Sequence, residues 1–139
     1  MKFLGIDFGE KRIGLAVSDE LGLFARGLCT LSRRGGARDL EFIKGIVERE
    51  GIERIILGLP VGFDGNEGSQ CDRVRRFAAQ LEEKIGLPVE YMDEVLSSEE
   101  AKEIMALRPR RSKIKKEEID RVAAAIILQR YLDRKNHKD

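Results

Sequence analysis

Three acidic residues in this chain, Asp7, Glu94 and Asp120, could act as one chemical group. Asp7 interrupts the apolar stretch Phe3-Leu4-Gly5-Ile6-Asp7-Phe8-Gly9, where an unpaired charge is costly to bury. Glu94 follows the strand-like Val89-Glu90-Tyr91-Met92, and Asp120 stands near the start of the last helical segment. Brought together, three carboxylates repel one another unless cations lie between them. Two magnesium (or manganese) ions about 3.5–4 Å apart would steady the attacking and leaving oxygens of a phosphodiester. Carboxylates are the oxygen donors such ions take. In this arrangement Asp7 bridges the ions while Glu94 and Asp120 each help hold one. Water is the nucleophile, and no histidine or serine base is needed; the sole histidine, His137, lies in the charged tail.

Each residue also has a plain reading. Asp7 could be a structural acid between Gly5 and Gly9, Asp120 a first-turn helix acid favourable to the dipole, and Glu94 a loop acid with Asp93 as a rival. The signal is the set of three in this element order.

A second cluster is cationic. Arg108, Arg110, Arg111, Lys113, Lys115 and Lys116 fall in one short run without an acid among them, just before the helix that carries Asp120. They suit contacts to backbone phosphates, against the alternative of a solvated loop. Lys11 and Arg12, in the turn after Asp7, could reach a phosphate near it or simply face solvent. Aromatic residues are few, so stacking on unpaired bases is not signalled.

The elements that must position these groups can be read from periodicity. Strands are predicted at Phe3 to Phe8, Arg12 to Ser18 and about Leu23 to Leu31, with a kink at Gly27. Their short connections join antiparallel neighbours. A helix over Asp39 to Glu50 follows, then a strand over Arg54 to Leu59 and a long loop, Pro60 to Ser69. A helix carrying Val74, Phe77, Ala78 and Leu81 leads to a fifth strand, Val89 to Met92. Further helices are predicted from Ser97 or Ser98 to about Leu107, and from about Glu117 to Arg134. Right-handed crossovers then place strand 1 centrally, beside strand 4. The result is an α/β, RNase H-like fold: a five-stranded mixed sheet of order 3-2-1-4-5, strand 2 antiparallel, with helices on both faces. In the last helix, Asp120 shares a ridge with Ala124, Ile127 and Tyr131 that would pack on that sheet.

The bulk properties bound the partners. The 139 residues form a single predicted domain, 1–139, large enough for a core without disulfides or zinc. The formal net charge is +1, so only local clustering can attract nucleic acid. Cys29 and Cys71 share no metal or redox spacing and suit a reducing compartment. No apolar run reaches membrane length and no secretory leader precedes strand 1, which points to a cytoplasmic protein without a membrane partner.

Four stretches resemble the YqgF family, also called RuvX, within the RNase H-like superfamily. They are Gly5-Ile6-Asp7-Phe8-Gly9-Glu10-Lys11-Arg12-Ile13-Gly14-Leu15-Ala16, Gly58-Leu59-Pro60 with Asp64-Gly65, Asp93-Glu94, and Ile119-Asp120-Arg121-Val122-Ala123-Ala124-Ala125-Ile126-Ile127-Leu128. The resemblance implies a metal-dependent nuclease with catalytic acids at Asp7, Glu94 and Asp120. It implies trimming of the 5′ end of the small-subunit ribosomal RNA precursor, with a pre-ribosomal particle as a partner, and resolution of four-way DNA junctions as the alternative. It is compatible with a monomer or a homodimer. Two positions depart from the family pattern: Val95 stands where an arginine is usual, and Gly62 where an asparagine is usual. Neither is a proposed metal ligand, but Val95 removes any phosphate contact the arginine would make.

Two other classes compete. Asp7-Phe8-Gly9 also resembles the first phosphate loop of actin-like and sugar-kinase ATPases, but the chain is too short for their two lobes. A non-catalytic nucleic-acid-binding module would bind through the basic run whether or not Asp7 is intact.

Overall fold

The opening apolar alternation forms β1 (Phe3–Phe8), and the chain returns antiparallel as β2 (Arg12–Ser18) and β3 (Ala25–Ser32). It continues through α1 (Gly36–Glu50), β4 (Arg54–Leu59), α2 (Ser69–Ile85), β5 (Val89–Asp93) and α3 (Lys116–Asn136). This computed structural model describes residues 1–59, 69–93, 103, 106 and 116–137, with the side chains of 69, 116 and 117 outside that description. The strands form one sheet in the order β3-β2-β1-β4-β5. β2 runs antiparallel to both its neighbours, whereas β4 is parallel to β1 and to β5. This is the RNase H-like order that the element sequence predicts.

Alternation divides the sheet into two buried faces. Leu4, Ile6, Ile13, Leu15, Ile55 and Leu57 face α1 and α2, packing against Ile43, Val74, Phe77 and Leu81. Phe3, Ala16, Ile56 and Met92 face α3, meeting Ala124, Ile127, Leu128 and Leu132. Burial of each large aliphatic side chain contributes about 1.5–3 kcal/mol, so the faces hold the strand register firmly. Among the described residues, no helix is long and apolar enough to cross a membrane.

Several boundaries differ from the sequence expectation, each for a local reason. β3 starts at Ala25 because the Asp19 carboxylate accepts the backbone N–H groups of Leu23 (2.8 Å) and Phe24 (3.3 Å) and holds both in the turn. The kink expected at Gly27 is a bulge: Leu15 pairs with Cys29 and Ala16 with Gly27, leaving Leu28 as the extra residue. α1 begins three residues before Asp39, after Gly35 at φ 128°. Asp39 is buried in the first turn, where its Oδ1 accepts the Arg34 N–H at 3.0 Å. The loop after β4 lies outside the described residues. So does the helix expected from Ser97 or Ser98 to Leu107, apart from the helical positions Glu103 and Ala106.

Candidate active site

Glycines let α3 come down onto the sheet. A Cβ on Gly5 would stand 2.7 Å from Cβ of Leu128. A Cβ on Gly14 would overlap the carbonyl oxygen of Asp120 and lie 2.5 Å from its carbonyl carbon. The first turns of α3 therefore rest directly on β2, where any larger residue would lift them.

That seat brings two of the predicted acids together. Asp7 is the register partner of Gly14. Directly paired residues project to one face, so Asp7 points to the side on which Asp120 sits. The Asp7 and Gly14 backbones are about one strand spacing, roughly 4.8 Å, apart. The Asp7 and Asp120 side chains are both partly buried. The ridge behind Asp120 packs as its spacing predicts: Ala124 and Ile127 are fully buried, and Tyr131 lies against Phe3 with ring centroids 5.6 Å apart.

Arg12 has a specific partner. Its Nε donates to Oδ2 of Asp120 at 2.7 Å, with both side chains about three-quarters buried. Arg12 lies two residues before Gly14 on the same face of β2, so its guanidinium reaches along the sheet to the acid. The chain thus supplies one cation to the carboxylate pair itself. Lys11, in the same turn, is exposed.

β5 ends at Asp93, one residue before Glu94, which lies outside the described residues. Asp93 is exposed and alternates with Met92, so it projects to the face opposite Asp7 and does not fit the role of rival ligand. Arg108, Arg110, Arg111, Lys113 and Lys115 are also outside the described residues, as are Gly62, Asp64, Gly65 and Val95. Lys116 opens the α3 backbone. His137 lies beyond the far end of α3, about 25 Å along the helix from Asp120.

The remote end of the α3 seat is tied by a polar network that sequence reading missed. Tyr131 donates its hydroxyl to Oε2 of Glu90 at 2.7 Å, and Nη1 of Arg54 donates to Oε1 of Glu90 at 2.8 Å. Desolvation, followed by the hydrogen bond to Glu90, raises the Tyr131 pKa above its usual 10.0.

Carboxylate oxygens on one sheet face, near the carboxyl end of a central strand, are the donor chemistry that magnesium or manganese takes. Asp7 and Asp120 fit that chemistry. Among the described residues, no three His, Cys, Asp or Glu side chains converge on one point.

Comparison with known proteins places this arrangement in context. The family model "RuvX: Holliday junction resolvase" matches residues 1–134. A protein of Syntrophus aciditrophicus named "Putative pre-16S rRNA nuclease" is 44% identical over 133 residues, covering 96% of this chain and 89% of its own length. A protein of Moorella thermoacetica with the same name is 42% identical over 134 residues, covering 96% of each chain. Among solved structures, Thermus thermophilus RuvC in complex with a Holliday junction substrate aligns with a TM-score of 0.60 at 16% identity, over 99% of this chain and 96% of that one. Fowlpox virus resolvase in complex with Holliday junction DNA aligns at 0.62 and 11%, over 99% and 100%. At these identities the structural likeness speaks for the fold.

Proposed function

Because the chain belongs to the RuvX family, we propose that it is a cytoplasmic, divalent-metal-dependent nuclease that hydrolyses phosphodiester bonds at the 5′ end of precursor small-subunit ribosomal RNA. The observation that carries this reading is the seating of Asp120 on Gly14, the register partner of Asp7. It gathers acids from opposite ends of the chain onto one face. The names of the curated relatives support RNA as the substrate.

In this mechanism Asp7, Asp120 and Glu94 would hold magnesium or manganese. When bound, the metal supplies charge neutralisation at the phosphate and a water of lowered pKa. Arg12 orients the Asp120 carboxylate through its Nε and lessens the repulsion between the two acids. The basic run 108–116, with Lys11, would bind the flanking phosphates. Gly14 keeps the approach of α3 close enough for Asp120 to serve.

The test uses purified chain with end-labelled precursor RNA, single-stranded DNA and four-way junctions, with and without magnesium. Asp7→Asn is expected to abolish cleavage while leaving substrate binding largely intact. Cleavage at the wild-type rate by that variant, or in excess chelator, rejects the mechanism. The description of the matching family model favours a second reading, resolution of four-way DNA junctions. That activity needs paired active sites, so it requires a homodimer and preferential cleavage of junctions over linear RNA.

A further inference from the structure

Across the sheet from Asp120, beside the carboxyl end of β1, lies a cavity of about 210 Å³. Three guanidiniums line it, those of Arg33, Arg73 and Arg76, against the single carboxylate of Asp39. Its apolar wall is Phe8 stacked on Phe77, with ring centroids 4.2 Å apart.

Arg33 is held in a defined pose. Its Cζ lies 4.5 Å above the centre of the Phe8 ring. Its Nη1 donates to the carbonyls of Gly9 and Glu10, each at 3.2 Å, and its Nε lies 3.8 Å from Oδ2 of Asp39. A guanidinium has five N–H donors, and among the described residues the Nη2 group of Arg33 has no partner. Among the described residues, Arg73 pairs with Glu10, at 3.2 Å and with both side chains more than half exposed, a contact that solvent screens. Arg76 is exposed. Three planar forks converging from two elements, one of them oriented in advance, match a phosphate better than scattered surface charge does.

The cavity is also coupled to the acidic site. Arg33 grips the carbonyls of the turn after Asp7, and Arg12, immediately beyond that turn, holds Asp120. We infer that Arg33, Arg73 and Arg76 bind a backbone phosphate of the substrate strand, remote from the phosphate being cut. The strand would cross the β1–β2 turn between the two sites. This assignment rests on the nuclease reading above.

The test measures binding of a fluorescein-labelled single-stranded RNA to the full chain carrying Asp7→Asn, without divalent ions, across a range of salt. Adding Arg73→Gln and Arg76→Gln, both at exposed positions, is expected to lower the slope of log Kd against log salt by about 0.7 for each lost contact. That slope, taken over the decade to 1 M, weakens binding about fivefold per contact at 0.1 M salt. Glu10→Gln should tighten binding by freeing Arg73. Arg134→Gln, an exposed cation near the end of α3, should leave the slope unchanged. Unchanged slope and affinity in the double variant, or an equal loss from Arg134→Gln, overturns the cavity assignment. The nuclease reading is judged separately, by cleavage in the chain with and without Asp7. If the double variant loses competition by inorganic phosphate but keeps RNA affinity, the cavity serves a free anion and the strand assignment fails. Absence of all nucleic-acid binding by the wild-type chain removes both readings.

Discussion

Gly14→Ala is the substitution that most directly interrogates the site. The added Cβ would overlap the Asp120 carbonyl oxygen and lie 2.5 Å from the carbonyl carbon, where ordinary contact begins at 3.4 Å. The obstructing atoms are backbone, so no side-chain rotation relieves the clash. The start of α3 must rise by at least about 0.9 Å, the difference between those distances, because the overlapping oxygen lies nearer still. Overpacking of this kind costs about 1–3 kcal/mol. In a chain of 139 residues that corresponds to a fall in Tm of roughly 3–12 °C. The effect on cleavage should be larger than stability alone explains, because a displacement near 1 Å at a reacting centre costs about a hundredfold in rate. The assay pairs thermal denaturation, followed by circular dichroism, with single-turnover cleavage well below the variant's melting point. Gly27→Ala is the control: its nearest atoms are the flexible Arg121 Cγ at 3.1 Å and the Arg121 carbonyl oxygen at 3.2 Å, so a change within about 1 kcal/mol is expected. Gly14→Ala with wild-type melting and cleavage would refute the seating of Asp120 beside Asp7.

Arg12→Gln should cost about 1 kcal/mol without metal, since it removes one charge-assisted hydrogen bond from a partly exposed pair. The same variant should gain about fivefold in magnesium or manganese affinity, measured by thermal shift or calorimetry, because Asp120 keeps its full negative charge; unchanged affinity contradicts the role given to the pair. The chain's two tyrosines, Tyr91 and Tyr131, both have pKa values raised chiefly by desolvation. Neutral phenol is therefore the form the fold prefers: its contribution is present below pH 10 and is lost as pH rises past 10 through the folded values. Absorbance titration of phenolate should give midpoints above 10 in the folded chain, and a midpoint at or below 10 counts against the Tyr131–Glu90 bond.

The sequence shows the elements far better than it shows their contacts, and the reason is physical. Period-two alternation at Phe3 to Phe8 and the apolar ridge behind Asp120 reflect burial, which depends on residue type alone, so strand, helix and buried face were all legible. Contacts depend on where the chain returns. Arg12 and Asp120 are separated by 108 positions, and nothing in Gly9-Glu10-Lys11-Arg12 distinguishes a phosphate ligand from an internal counter-ion. Arg73 and Arg76 share the i, i+3 spacing of a helix face, but Arg33 lies far from them in sequence, and contacts such as the stacking of Phe8 on Phe77 bring the three together. The boundary shifts have the same origin: the Asp19 and Asp39 carboxylates capture nearby backbone N–H groups, an option composition does not reveal. Three acids in one pocket require cations between them, and Arg12 already lies against Asp120. On the proposed mechanism, divalent ions would therefore compete with this guanidinium for Asp120. Their affinity would then measure the difference between two cationic partners, not the attraction of bare carboxylates.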